Sequence, residues 1–217
     1  NTGRGHEFSE LKSYLISRLL WDPDQNPERI MEEFCDAYYG EAAPWIKRYR
    51  EALRQSLLES GRNLGIYQHP AALGKTVLSQ KNAEEYREYF DEAERAVENN
   101  PLLKRRVETA RLPLQYALME IGKNEMFTER GWYEKEGDTF RLREDMVRRL
   151  ESFYRVCREN GIGSLDERGL TPEIYYRSTR HFIDVKIGGN AAFRKPVSAD
   201  PPPSKKYSDG DAAKLTN

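Results

Sequence analysis

An all-α fold is predicted for this 217-residue chain: a bundle of about six or seven helices followed by an extended C-terminal tail. Three observations carry that reading. Apolar residues recur at three- and four-residue spacing in one segment after another, the period of a helix with one buried face. Asn, Ser, Pro and Gly stand at the joins, where helices start and stop. After Ile183 the periodicity gives way to Gly, Pro, Ser and Lys, as in "DPPPSKKYSDGD". Residues 1–183 are therefore assigned to a helical domain and 184–217 to a linker leading out of it.

The first helix is expected over 7–20, where Phe8, Leu11, Leu15 and Leu19 share a face, with His6 or Ser9 as its cap. The second opens at Asn26–Pro27–Glu28, because Asn is a strong N-cap and Pro fits the first helical position. Ile30, Phe34, Ala37 and Tyr38 form its apolar stripe, and Gly40 ends it as a left-handed cap. A third follows from about Glu41 with Pro44 in its first turn, lined by Trp45, Ile46, Tyr49, Leu53, Leu57 and Leu58.

Residues 61–79, "GRNLGIYQHPAALGKTVLS", break the period and read as an ordered loop packed on the bundle. Asn82 to Glu85 resembles a capping box and opens a fourth helix through Tyr86, Tyr89, Phe90, Ala93 and Val97. "NNP" at 99–101 stops that helix and starts the fifth, about 102–121, with Pro113 in its middle at a cost of about 3 kcal/mol unless a kink absorbs it. A polar loop follows. A sixth helix is expected over about 140–160 and a short last one over about 172–182.

Composition excludes several function classes. Lys and Arg number 35 against 36 Asp and Glu, so no basic field is available to hold a polyphosphate, and nucleic acid is not an expected partner. No apolar run approaches the ~20 residues of a membrane helix. Cys35 and Cys157 both fall in helical patterns; they allow one disulfide, two free, buried thiols being the better reading, and they do not decide the compartment. The chain does not begin with Met and has no signal-like start, which reads as a fragment of a longer protein.

One stretch imitates a metal site. In "DPDQNPERIMEE", Asp22, Asp24 and Asn26 hold the first, third and fifth ligand positions of a calcium-binding EF-hand loop, and Glu33 holds the twelfth. The sixth place, which needs Gly, is Pro27, and the eighth, normally aliphatic, is Arg29. The same residues make a good helix start, and capping is the better account of them. The three histidines, His6, His69 and His181, have no zinc-ligand spacing, and no nucleophile or nucleotide-binding motif is present. No cofactor, no metal and no catalytic residue is expected.

Four residues are candidate ligand contacts. Tyr67 and His69 lie close together in the 61–79 loop, and Trp132 and Tyr133 are the aromatics of the polar loop expected to be exposed for stacking on a sugar. Each has a plainer reading: His69 bonds a loop backbone, and the Trp132–Tyr133 pair anchors its loop.

The segment "FSELKSYLISRLLWDPDQNPERIMEEFCDAYYGEAAPWIKRYREAL" resembles the C-terminal helical region of a bacterial family called domain of unknown function 4838. The likeness rests on "E-x-x-x-Y-x-x-x-x-L-L-W-D-P-D" and then "E-F-x-x-x-Y-Y-G-x-A-A". "RRVETARLPLQYALME" at 105–120 fits the same region, and the segment is also similar to the one following the last barrel strand in hexosaminidases and O-GlcNAcases. The tail "PPPSKKYSDGDAAKLTN" resembles the opening of a discoidin-type carbohydrate-binding module. The resemblance implies a non-catalytic helical domain of a glycoside-hydrolase-like protein, packed on an upstream TIM barrel and followed by a binding module, in the periplasm or outside the cell. Its alternative is a stand-alone module binding glycan or protein through the 61–79 and 124–139 loops. The implied family's catalytic residues have no positions here to be carried onto.

Overall fold

The computed structural model describes residues 3–65, 68–137 and 139–187, without the side chains of 185–187. Tyr67 and the discoidin-like tail lie outside these residues. The chain divides into two compact units, 1–172 and 173–217. Among the described residues the first contains six α-helices and a two-stranded sheet: α1 (Ser9–Trp21), α2 (Pro27–Tyr39), α3 (Ala43–Ser60), α4 (Gln80–Ala96), α5 (Pro101–Asn124), β1 (Tyr133–Glu136), β2 (Thr139–Leu142) and α6 (Glu144–Glu159). In the second, α7 (Pro172–Ile187) runs five residues beyond its expected end, with Glu173 and Arg177 paired one turn apart at 2.5 Å. The all-α expectation holds.

Helix starts follow the expected chemistry at two of the joins. The Asn26 side-chain oxygen accepts the N–H groups of Glu28 and Arg29 at 2.9 and 3.2 Å, with Pro27 at the first helical position. Asn100 repeats the device, accepting the Leu103 N–H at 3.2 Å ahead of Pro101. Both satisfy donors that the helix itself cannot pair.

Elsewhere the caps differ from expectation. Neither His6 nor Ser9 caps α1; Phe8 stands there at φ 50°, the non-glycine with positive φ among the described residues, held by its contact with Tyr49 at 5.7 Å between rings. α4 starts at Ser79, whose hydroxyl accepts the Asn82 N–H, so the capping-box reading placed the start three residues late; Asn82 is spent on the carbonyls of Thr76 and Val77. Gly40 has φ 54° but ψ −124°, outside the left-handed helical region, and a Cβ there would meet Leu103 at 2.7 Å. Gly40–Ala42 then forms a 3₁₀ turn before α3.

The first five helices close one core. Tyr49 of α3 packs on Phe90 and Tyr86 of α4 with ring centres 4.6 and 5.4 Å apart, and Ile46, Ala93, Val107, Leu114 and Ile121 are buried around them. Burying a side chain of this size contributes roughly 1.5–3 kcal/mol each. Pro113 sits inside a continuous 24-residue α5. Cys35 and Cys157 are free and buried.

The corner between α1 and α2 is tied by side chains. Arg18 donates to the Gln25 side-chain oxygen from Nε at 3.1 Å and Nη2 at 2.6 Å, and Gln25 Nε2 donates to Asp22 at 3.3 Å. Arg18 also reaches Glu33 of α2 at 3.7 Å.

The polar loop after α5 is not a loop throughout. Residues 133–136 and 139–142 pair as an antiparallel hairpin, with Tyr133 opposite Leu142 and Glu136 opposite Thr139, and Gly137 has φ 59°. α6 therefore begins four residues later than its apolar period suggests, at Glu144.

Candidate functional site

The residues that imitate a calcium loop are spent on structure. The Asn26 carbonyl oxygen holds two helix N–H groups, Asp22 accepts the Asp24 N–H at 3.2 Å, and Glu33 pairs with Arg29 at 3.0 Å. Among the described residues no group of three or more His, Cys, Asp or Glu side chains is arranged to hold a metal ion.

Trp132 and Tyr133 are not the exposed rings expected of a sugar platform. Trp132 is fully buried and Tyr133 is 3% exposed. The Trp132 indole N–H donates to the Met119 carbonyl at 3.3 Å, and its ring lies against the space left by Gly122, where a Cβ would stand 3.3 Å from it. Tyr133 stacks on Phe127 at 5.7 Å. A buried aromatic with its polar atom satisfied is an anchor, and these two fasten the hairpin to the end of α5.

His69 does bond the loop backbone: its Nδ1 accepts the Ala71 N–H at 3.3 Å and so caps a 3₁₀ turn over Pro70–Leu73. That bond fixes the proton on Nε2, which donates to Glu120 of α5 at 2.9 Å. Lys123 reaches the other Glu120 oxygen at 2.6 Å. Glu120 is 9% exposed and 51 residues from His69 in the chain, so no local pattern announced the contact. A His–carboxylate pair suggests a general base, but a base needs a free ring nitrogen facing substrate. Here both nitrogens are engaged, and the pair works as a clasp between the 61–79 segment and α5.

A second locus lies where residues 4–7 meet α5 and α6. A cavity of about 250 Å³ is walled by Leu112, Pro113, Phe153, Ile162 and Leu165, with Arg4, His6 and Glu7 at its edge. Glu7 accepts a hydrogen bond from Tyr49, which is only 2% exposed, so the carboxyl shares the core's poor solvation although the residue is not wholly covered. Burial pushes the Glu7 carboxyl up to about 7, with the Tyr49 bond and Lys12 pulling the other way. Burial and the nearby Glu7 hold Tyr49 well above its ordinary value. An apolar cavity with a perturbed carboxyl beside it is the usual form of a small-molecule site. Nothing in the local sequence marks Glu7, because its environment comes from α3, α5 and α6.

The third feature is on α1. Ile16, Leu20 and Trp21 are 51%, 81% and 90% exposed. Ile16 and Leu20 are one turn apart and share a face, and Trp21 adjoins them. Large apolar side chains left bare together mark a contact surface. No described helix is long and apolar enough to cross a membrane.

Fold and surface together define a helical bundle whose first helix offers an apolar face. Residues 1–51, which carry α1, α2 and the first half of α3, match the family described as domain of unknown function (DUF4838). The resemblance read from the segment beginning at Phe8 thus stands over residues 8–51, and 105–120 lies outside the matched residues. No curated protein and no solved structure matches the chain.

Proposed function

We propose that this chain is the non-catalytic helical domain of a multidomain carbohydrate-active protein, packing through α1 against a catalytic barrel, with a carbohydrate-binding module beyond the tail and the whole protein periplasmic or secreted. The observation that supports this reading is the bare apolar face of Ile16, Leu20 and Trp21, within the segment that matches the family. Covering side chains of this size contributes roughly 1.5–3 kcal/mol each, enough to hold one domain on another.

Trp21 supplies the test, since it is almost fully exposed whereas Trp45 is half-buried and Trp132 fully buried. In the 217-residue chain, acrylamide quenches Trp21 freely, and Trp21→Phe removes the most quenchable part of the emission, leaving that of Trp45 and Trp132. In a longer chain that includes the preceding coding sequence, Trp21 becomes protected. Equal quenching in both chains would overturn the reading, as would glycosidase turnover by the 217-residue chain.

A second reading, a module that binds glycan or protein by itself, is favoured by the 250 Å³ cavity beside Glu7. Titration against a panel of monosaccharides separates the two: no binding at millimolar sugar counts against it.

A further inference from the structure

Arg87 of α4 and Arg149 of α6 line a second cavity, of about 80 Å³, together with Arg130. Its apolar floor is Ala83, Leu118 and Met146, all buried. Three carboxylates share the wall: Glu84, Glu129 and Asp145. Glu84 and Glu129 both accept from Gln80 Nε2, at 3.1 and 3.2 Å.

The arginines differ in how they are occupied. Arg130 is spent, donating to the carbonyls of Gly74 and Leu78 at 2.7 Å each and lying 3.7 Å from Glu125. Arg111 of α5, outside the cavity lining, is held by Asp91 at 2.7 Å and Glu94 at 3.1 Å. Among the described residues neither Arg87 nor Arg149 has a carboxylate within 4 Å. Arg149 makes one hydrogen bond, from Nη1 to the Met146 sulfur at 3.2 Å, and a thioether is a weak acceptor. Burial lowers the Arg149 guanidinium to about 10; Arg87 and Arg111 push the same way, and Asp145 and Asp91 offset part of it. A guanidinium drawn partly out of water beside a second positive charge, with Asp145 and Asp91 acting on it only from beyond ion-pair distance, keeps donors for a further acceptor.

We propose that the cavity between α4, α6 and the turn after α5 is an oxyanion site, in which Arg87 and Arg149 together hold one sulfate, phosphate or carboxylate group. Two guanidinium side chains lining one space can serve the oxygens of such a group, and charge-assisted hydrogen bonds of this kind are about twice as strong as neutral ones. The volume holds several waters and so accepts a single tetrahedral oxyanion. Glu84, Glu129 and Asp145 on the same wall oppose every anion, so the site holds one isolated group weakly and excludes a charged polymer.

The test is titration of the 217-residue chain with sodium sulfate against sodium chloride at equal ionic strength, read by calorimetry and by melting temperature. Sulfate binds saturably and raises the melting temperature where chloride does not. Arg87→Gln weakens sulfate binding about tenfold. Arg149→Met, which keeps the packing volume, weakens it at least as much. Arg87 is exposed, so its variant folds and keeps the test decisive even where Arg149→Met does not. Glucose 6-sulfate and glucuronate identify the source: tighter binding than inorganic sulfate assigns the group to a sugar, and weaker binding assigns the free ion. Equal effects of sulfate and chloride, or a variant Arg87→Gln that binds like the wild type, would refute the site.

Discussion

Glu7→Gln is the sharpest test of the joint between residues 4–7 and the bundle. The folded carboxyl titrates near 7, against 4.5 for its ordinary value. At about 1.36 kcal/mol per pH unit, that difference corresponds to roughly 3 kcal/mol. The sign follows from proton binding. The folded state holds the proton more tightly than the unfolded state, so the stabilisation is fully present below 4.5. It is lost as pH rises through 7, where the folded chain must bury a charge. Glutamine is nearly isosteric, stays neutral and still accepts from Tyr49. The variant and the wild type therefore match at pH 4.5, and at pH 8 the variant is more stable by roughly 3 kcal/mol. For a unit of this size that is about 10 °C in melting temperature. Urea unfolding at pH 4.5, 6 and 8 reads the difference directly, and other titrating groups cancel between the two chains. If both lose or gain stability in parallel across that range, the carboxyl is solvated and the account of the joint is wrong.

Three further outcomes follow from named contacts. Asn26→Ala removes both cap bonds of α2 and lowers stability by about 1 kcal/mol in urea unfolding, with Asn26→Asp restoring most of it. Trp132→Ala empties a fully buried site and removes the indole bond to the Met119 carbonyl, costing roughly 3–5 kcal/mol; Trp132→Phe costs less, and near-UV circular dichroism shows whether the hairpin stays docked. Gly131→Ala drives a Cβ into the backbone of Glu125 and Met126 and destabilises by roughly 1–3 kcal/mol, measured as a lowered urea midpoint.

The helices were legible because each buries one face and the chain writes that face at helical period. The caps at Asn26 and Asn100 were legible for a second reason, since the Asn–Pro pair combines a side-chain acceptor with a residue that has no N–H to lose. Ser79 was harder: its hydroxyl competes with a plausible box three residues on, and the choice is made by Thr76 and Val77, whose carbonyls claim Asn82. The hairpin escaped because "YEKE" and "TFRL" are short and half charged, so alternation is faint. Tyr133 and Leu142 face one another only once the fold is formed. Trp132 read as exposed from its polar neighbours, whereas the decisive partners, Gly122 and the Met119 carbonyl, lie ten and thirteen residues back on α5. His69–Glu120, Glu7–Tyr49 and Arg87–Arg149 share that property. Each joins residues far apart in sequence, and no local period encodes them.

The tied corner between α1 and α2 has a mechanical consequence. Arg18 grips Gln25 with two donors, Gln25 grips Asp22, and Arg18 reaches across to Glu33. A glycine-rich joint at this position would let the helices swing; these crossed braces make it a stiff elbow. A surface that seats α1 therefore also sets the bearing of α2 and of the core built on it. A tilt of α1 by a few degrees is carried outward as by a lever, growing with distance along the bundle.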